Sequence, residues 1–133
     1  MLFLLQRALI DERPSSFQDC VKWARLHFEE NYASQIKQLL FNFPPDQQTS
    51  TGQMFWSGPK RCPASADFDI NVELHFEYIF SAANLKAEIY GLPQVRDRNA
   101  VIEMVQRVEV RFYVWKHFEL ILNLRDIFIG TSI

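Results

Sequence analysis

The chain has 133 residues, a formal net charge of −2 and 48% hydrophobic residues, which is enough to build a packed core and excludes a disordered segment. The acidic balance gives no support to a nucleic-acid or anionic-membrane partner, because such partners attract a basic surplus. Two cysteines cannot form a disulfide framework, so a reducing compartment, the cytoplasm or the nucleus, is predicted.

Both ends of the chain are apolar without having the features of a targeting or membrane segment. Residues 2–11 predict a short apolar helix, which Pro14 ends because proline pushes its predecessor out of the helical region. The apolar run before Gln6 and Arg7 is too short for a signal peptide, and no small-residue cleavage site follows it. Residues 111–133 carry several charged side chains, so a membrane span of about 20 uncharged residues is not expected there.

The second predicted helix begins after Ser15 or Ser16, either of which can cap it, with Asp19 near its positive end. It runs to Phe43 without Gly or Pro and has a possible break near residues 30–31. Apolar residues at helical spacing predict one buried stripe along its length. The stripe consists of Phe17, Val21, Ala24, Phe28, Tyr32, Ile36, Leu39 and Phe43.

A long loop is predicted for about residues 44–70, where prolines and glycines remove any helical period. The next helix, over residues 71–90, is expected to be capped by Asn71 and ended by Gly91 and Pro93. A last helix is predicted over residues 97–108, with an apolar face directed inward. That face consists of Ala100, Val101, Met104, Val105 and Val108.

The helix over residues 71–90 has two apolar stripes, which predicts that it packs on two sides as a central helix. The first stripe contains Leu74, Tyr78, Ala82, Leu85 and Ile89, and the second contains Phe76, Phe80, Ala83, Ala87 and Tyr90. A narrow polar stripe, expected at the surface, contains Glu73, Glu77, Ser81, Asn84 and Glu88. The fold class predicted from these elements is mainly α.

Cys62 is the residue most suggestive of chemistry, because it follows Lys60 and Arg61 in the stretch FWSGPKRCP. Nearby cations lower a thiol's pKa, so a reactive thiolate is one interpretation. A nucleophilic cysteine also needs a base or a helix N-terminus, which this stretch does not supply, so a loop cysteine is favoured. Cys20 lies near a helix N-terminus but also on an apolar face, which favours a role in the core.

The other candidate residue types form no recognisable site. His27, His75 and His117 lie far apart, without metal-ligand spacing, and are interpreted as helix-surface residues. A glycine-rich phosphate loop is missing from the sequence, so it predicts no nucleotide site. From the residues alone we therefore assign no catalytic, cofactor-binding or metal-binding residue.

Several long stretches resemble the ubiquitin-activating enzyme family. Residues 38–63, QLLFNFPPDQQTSTGQMFWSGPKRCP, are similar to part of its second catalytic cysteine half-domain. The neighbouring stretches agree: FQDCVKWARLHFEENY before it and FDINVELHFEYIFSAANLKAEIYGLP after it. The likeness covers about residues 5–109. It implies a mainly helical partial domain over residues 1–110, with one long ordered loop at about 44–70 and a divergent, unmatched apolar tail over residues 111–133.

The resemblance implies a parent enzyme that activates ubiquitin or a ubiquitin-like modifier with ATP and magnesium. Such an enzyme carries the modifier as a thioester and passes it to a conjugating enzyme. In that family the nucleophile lies upstream of the matched segment, and neither Cys20 nor Cys62 falls at its position. The chain alone is therefore expected to be inactive and to hold no cofactor. A free-standing module that binds a conjugating enzyme or modifier, and a small thiol enzyme, are the alternatives.

Overall fold

The computed structural model describes residues 1–110, and this part of the chain is mainly helical, as predicted. Within this range, β-type pairing is limited to one isolated antiparallel bridge between Gln48 and Met54. The α-helices are α1 (Leu2–Gln6), α2 (Phe17–Phe28), α3 (Gln35–Asn42), α4 (Glu73–Ile89) and α5 (Arg98–Gln106). Two π-helical segments, Arg7–Asp11 and Glu29–Ser34, follow α1 and α2 respectively.

The chain divides into two compact units. The first unit contains Met1–Glu29 and Ala66–Val108, and therefore holds α1, α2, α4 and α5. The second unit is built around Glu30–Ser65, and holds α3 and the long loop that follows it. Each unit is described separately below. The predicted tail, residues 111–133, lies outside the described residues.

The core of the first unit forms where α2 and α5 pack against α4. Small side chains occupy much of this contact, and Cys20, Ala24, Ala83 and Ala87 are fully buried. Because small side chains let two helix backbones approach closely, the larger residues can interlock around them. The larger members of the core are Phe17, Val21, Phe28, Phe76, Ile79, Val101 and Val105.

Ser16 caps α2, which settles the choice between the two serines. Its hydroxyl accepts a hydrogen bond from the Asp19 backbone N–H at 3.4 Å. The Asp19 carboxylate in turn accepts bonds from the Ser15 backbone N–H at 3.0 Å and the Ser15 hydroxyl at 2.8 Å. These donors favour the ionised carboxylate and lower the pKa of Asp19. The helix start predicted from this short motif is confirmed.

The apolar stripe predicted along the second helix is correct for α2 and wrong beyond it. Phe28 is buried, but Tyr32, Leu39 and Phe43 are exposed, and Ala33 is the fully buried residue instead. The cause is the π-helical segment Glu29–Ser34, at the predicted break. A π turn contains more residues than an α turn, so it rotates the following side chains away from the original stripe.

The two-stripe prediction for α4 is wrong for its first stripe. Leu74, Leu85 and Ile89 are mostly exposed, with Leu85 at 65%. The buried face is formed by Phe76, Ile79, Ala83 and Ala87, which overlaps the second predicted stripe. The reason is that α2 and α5 cover only one side of α4. The periodic pattern shows which side chains are apolar, but it does not show which of them another helix covers. The Asn84 side chain, assigned to the polar stripe, is buried as well.

The start of α4 also differs from the prediction, because Asn71 does not cap it. Val72 occupies the cap position, without a side-chain hydrogen bond. The Asn71 backbone N–H and side-chain amide both donate to Asp69 Oδ1, at 2.8 and 2.9 Å. Asp69 therefore competes successfully for Asn71, and it forms a local turn before the helix.

The end of α4 follows the prediction. Gly91 has a φ of +68°, the left-handed conformation that ends many helices. The Leu92 backbone N–H donates to the Ala87 carbonyl at 2.8 Å, and that of Gly91 to the Glu88 carbonyl at 3.1 Å. These bonds satisfy carbonyls of the last turn. α5 then begins after Asp97, whose side chain accepts from the Asn99 N–H at 3.0 Å.

The burial pattern of α4 predicts opposite outcomes for two similar substitutions. Ile79→Ala removes a fully buried side chain and should cost about 2–5 kcal/mol of unfolding free energy. Leu85→Ala, the matched control on the exposed face, should cost less than about 1 kcal/mol. Urea unfolding followed by circular dichroism, at the lowest usable protein concentration, measures both. Equal losses in the two variants would contradict the core described here.

The lowered pKa of Asp19 makes the stability of the first unit depend on pH. A folded-state pKa below the usual 3.8 means that ionised Asp19 contributes stability above the unfolded-state value. This contribution is lost as the pH falls through the folded-state pKa. We expect Asp19→Asn to lower the urea midpoint at pH 7. Below about pH 4, the urea midpoint of this variant should decrease less with falling pH than that of the unmodified chain. Asp46→Asn, in an exposed loop, is the control, and an identical pH profile in both variants would refute the assignment.

Candidate functional site

The loop that carries FWSGPKRCP is ordered by its own aromatic side chains. The Trp56 indole N–H donates to the Phe43 carbonyl at 3.0 Å and to the Pro44 carbonyl at 3.1 Å. The Phe55 ring stacks on the Phe43 ring, with the centroids 4.8 Å apart. Both contacts tie the loop to the carbonyl end of α3, where free carbonyls are available. Phe55 and Trp56 thus fold the loop back onto the end of α3.

Short backbone hydrogen bonds set the path of this loop between α3 and Cys62. The Phe55 backbone N–H donates to the Gln47 carbonyl and that of Thr49 to the Gln53 carbonyl, so residues 47–55 turn back on themselves. The Lys60 N–H then donates to the Ser57 carbonyl at 3.1 Å, across a turn centred on Gly58 and Pro59. A backbone hydrogen bond therefore closes a turn at Gly58 and Pro59.

The turn presents two cations at the surface. Lys60 Nζ lies 4.6 Å from the centroid of the Phe55 ring, a cation–π contact that limits the freedom of the ammonium group. Arg61 and Cys62 follow, and both side chains are exposed. The Cys62 thiol donates a long hydrogen bond of 3.7 Å to the Pro63 carbonyl. A carbonyl oxygen cannot take the thiol proton, so this contact does not activate the sulfur.

Cys20 is in the opposite situation, because it is fully buried within the core of the first unit. Burial raises the pKa of its thiol, and nearby Asp19 adds to this effect, while the charge of Lys86 acts against it. A thiol with a raised pKa is protonated at neutral pH, and this one is also shielded from solvent. The interpretation of Cys20 as a core residue is confirmed.

Lys86 is a residue that the sequence analysis missed. Its side chain is only 9% exposed, although it carries a charge. Its Nζ lies 4.2 Å from the centroid of the Trp23 ring and 5.3 Å from that of Tyr90. Burial lowers the pKa of Lys86, against the influence of Glu12 and Cys20. A signal was available, because Lys86 continues the helical spacing of the buried Ile79 and Ala83.

The aromatic cage around Lys86 joins three segments of the first unit. Trp23 belongs to α2, whereas Tyr90 follows α4 directly. The Tyr90 hydroxyl donates to the Ala8 carbonyl at 2.8 Å, in the π-helical segment after α1. Buried cations of this type stabilise structure through the aromatic faces rather than through a carboxylate. The cage thus links α2, the end of α4 and the segment after α1 through the Lys86 side chain.

The two histidines in the described part of the chain belong to an aromatic cluster. His27 Nδ1 is hydrogen-bonded to the Tyr78 hydroxyl, and its ring stacks on Trp23 at 4.9 Å. His75 Nδ1 accepts from the Asp69 N–H at 3.1 Å, and its ring lies 4.9 Å from Phe28. Their interpretation as surface residues is therefore wrong, because ring contacts across helices partly bury both. His117 lies outside the described residues.

Asn84 is a second buried polar residue that the periodic pattern assigned to the surface. Its amide N–H groups donate to the Phe80 carbonyl at 2.9 Å and the Val95 carbonyl at 3.1 Å. Its Oδ1 accepts from the Val95 N–H at 3.1 Å. The side chain thus pairs with both backbone groups of Val95 and holds the segment between α4 and α5. Its hydrogen bonds explain why a polar residue is tolerated there.

The described residues do not form a metal site. Within residues 1–110 there is no group of three or more His, Cys, Asp or Glu side chains that could hold a metal ion. Over the same range, each helix is too short or too polar to span a bilayer. The structure places Cys20, which is buried, and Cys62, which is exposed, in different units.

Comparison with known proteins identifies the family. A family model described as "Ubiquitin-activating enzyme, SCCH domain" matches residues 1–121. The ubiquitin-like modifier-activating enzyme 1 of Mus musculus is 51% identical over 110 residues, which are 83% of this chain and 10% of the relative. The ubiquitin-activating enzyme E1 1 of Candida albicans (strain WO-1) is 50% identical over 99 residues, 74% of this chain and 9% of the relative.

A relative named for a different member of the group also matches. The ubiquitin-like modifier-activating enzyme 7 of Homo sapiens is 45% identical over 94 residues, 71% of this chain and 9% of the relative. The chain thus spans about a tenth of the length of the curated relatives that it matches. From the length of these matches and their sequence identity we conclude that the chain belongs to the ubiquitin-activating enzyme family and corresponds to part of its SCCH domain.

Proposed function

We propose that this chain is a supporting part of an enzyme that activates ubiquitin or a ubiquitin-like modifier. In that enzyme ATP and magnesium would drive activation, and a thioester would carry the modifier to a conjugating enzyme in the cytoplasm or the nucleus. The match to the SCCH family model over residues 1–121 carries this proposal. The relatives' names refer to ubiquitin and to ubiquitin-like modifiers alike, so the modifier is left open within that class.

Within such an enzyme, this chain would supply scaffold and surface rather than the nucleophile. Cys20 is buried with a raised pKa, and Cys62 is exposed with its thiol directed at the Pro63 carbonyl, which cannot act as a base. Thioester formation needs an accessible thiolate near the activated acyl group, and neither thiol meets both conditions. The proposal therefore assigns no catalytic residue within residues 1–110.

A free-standing module that binds a conjugating enzyme or a modifier is the second candidate. One observation favours it: contacts within the chain hold the loop over residues 55–62 in place. Lys60 is held over Phe55, and Arg61 is exposed beside it. A surface fixed in this way loses less conformational entropy when it binds a partner. Binding of a conjugating enzyme by the chain alone would favour this candidate.

The proposed function predicts that activity depends on the enzyme around the chain. The purified chain, given ubiquitin, ATP and magnesium, should form no thiol-sensitive adduct on a non-reducing gel. A chimera should form one, if this chain's residues replace the matched 110 residues of the Mus musculus relative. The unmodified relative is the positive control.

Two results would contradict the assignment. An adduct on the isolated chain, abolished by Cys62→Ser or Cys20→Ser, would revive the thiol-enzyme alternative. A chimera that folds but forms no thioester, while the unmodified relative does, would refute the scaffold role. A chimera that keeps its thioester after Cys62→Ser would confirm that Cys62 is not the nucleophile.

The environments of the two cysteines predict different alkylation behaviour. In the folded chain, Cys62 should react with iodoacetamide faster than Cys20, because Cys62 is exposed and Cys20 is buried. The reaction of Cys20 should accelerate only above pH 9.0, its usual pKa, since burial raises that value. Mass spectrometry of the two peptides against pH measures this, and unfolding in urea should equalise the rates. Fast reaction of folded Cys20 at pH 7 would contradict the structure.

A further inference from the structure

Three aromatic side chains of the first unit form a continuous row of ring contacts from α2 to α4. The Trp23 and His27 rings stack, with their centroids 4.9 Å apart and their planes at 26°. The His27 and Tyr78 rings are nearly parallel, at 11°, with their centroids 6.2 Å apart. Indole and phenol are the aromatic side chains that lose one electron most readily. The row, defined as Trp23, His27 and Tyr78, therefore joins two oxidisable rings through an imidazole.

The contact between His27 and Tyr78 supplies what oxidation of a phenol requires. A phenol that loses an electron becomes a strong acid, so its proton must leave together with the electron. The Tyr78 hydroxyl is hydrogen-bonded to His27 Nδ1. A neutral imidazole with its own proton on Nε2 accepts that hydrogen bond and can take the phenol proton along it. Tyr78 thus has a proton acceptor in place.

Tyr90 is a second tyrosine near Trp23, but it has no base at its hydroxyl. Lys86 Nζ lies 5.3 Å from the centroid of the Tyr90 ring and 4.2 Å from that of the Trp23 ring. The Tyr90 hydroxyl donates to the Ala8 carbonyl at 2.8 Å. A carbonyl oxygen cannot hold the phenol proton, so an electron lost from Tyr90 would leave a positive charge beside the ammonium group. Tyr78 is therefore the better electron donor of the two.

The charge of Lys86 sets the direction of electron transfer along the row. Its ammonium group is attracted to the π-electrons of the intact Trp23 ring. An indole that has lost one electron carries a positive charge, which the same ammonium group repels. Lys86 therefore disfavours the oxidised state of Trp23. At Tyr78 the radical becomes neutral once its proton has moved to His27.

We propose that Tyr78 and His27 together return an electron to Trp23 after its oxidation. A one-electron oxidant, of the class of small inorganic radicals, first takes one electron from the Trp23 indole. Tyr78 then passes one electron to Trp23 and its hydroxyl proton to His27 Nδ1, which leaves an intact indole, a neutral tyrosyl radical and an imidazolium. A reductant such as ascorbate restores the tyrosine by giving one hydrogen atom, and His27 releases its proton to water. This activity is independent of the proposed enzymatic role.

Pulse radiolysis of the full chain with the azide radical, which oxidises indole faster than phenol, tests the transfer. Part of the absorption of the tryptophan radical should give way to that of the tyrosyl radical. This step should be first-order, with a rate that does not change with protein concentration. Every chain tested carries Tyr113→Phe, because Tyr113 and Trp115 are two residues apart and can exchange an electron by themselves. Decay of the tryptophan radical without formation of a tyrosyl radical would overturn the proposal.

Three further substitutions identify the electron donor and the proton acceptor. Tyr78→Phe should abolish the step, whereas Tyr90→Phe, the matched control, should leave its rate unchanged. His27→Phe keeps a ring in the row but removes the acceptor, and should slow the step about tenfold through the loss of one hydrogen bond's stabilisation. A rate that Tyr90→Phe lowers as much as Tyr78→Phe would refute the donor, and an unchanged rate in His27→Phe would refute the acceptor.

Heavy water provides a measurement that does not depend on how these variants fold. The chain tested keeps Trp23, His27 and Tyr78, and the phenol proton is replaced by a deuteron. Because the proposed transfer moves this proton together with the electron, the step should be slower in heavy water than in light water. Equal rates in the two solvents would overturn the coupled transfer from Tyr78 to His27.

Discussion

The close approach of α2 to α4 is the contact on which the first unit depends. Ala24 on α2, with Ala83 and Ala87 on α4, leaves space for the two backbones to come together. A larger side chain at any of these positions would separate the helices, and the interlocking Phe28 and Phe76 would lose contacts on all sides. Burial of Cys20 and of Lys86 follows from the same approach. The chemical inertness of one thiol is thus a consequence of helix packing.

Features set by a few neighbouring residues could be predicted from the sequence. The cap at Ser16, the end of α4 at Gly91 and the turn at Gly58 all depend on local hydrogen bonds or on the φ angle of glycine. The same holds for the break after Phe28, although its effect on the stripe could not be foreseen. One additional residue in a turn rotates all the following side chains about the helix axis, and the sequence does not show where that residue is inserted.

Features set by distant partners could not be predicted in the same way. Leu85 and Ile79 are equally apolar and both lie on a regular helix, yet α2 and α5 cover only Ile79. Asn84 was misjudged for the converse reason, since its partner Val95 lies beyond the end of the helix. The ring of Trp23 beside Lys86 likewise comes from another helix, although the spacing of Lys86 indicated its burial. At the candidate site, the exposure of Cys62 followed from its loop, whereas the ring beneath Lys60 required the structure. Burial is decided by what packs against a face, and periodicity describes only the face itself.

The cage around Lys86 has a consequence for how the first unit responds to its surroundings. Its ammonium group is held by the rings of Trp23 and Tyr90, which are neutral, so the contact includes no carboxylate that acid could protonate. Mobile ions screen buried pairs much less than exposed ones. The link from α2 and α4 to the Ala8 carbonyl should therefore hold over a wide range of ionic strength. The exposed pairs of Arg98 with Glu73 and Glu77 will weaken in salt, whereas the buried cage will weaken less.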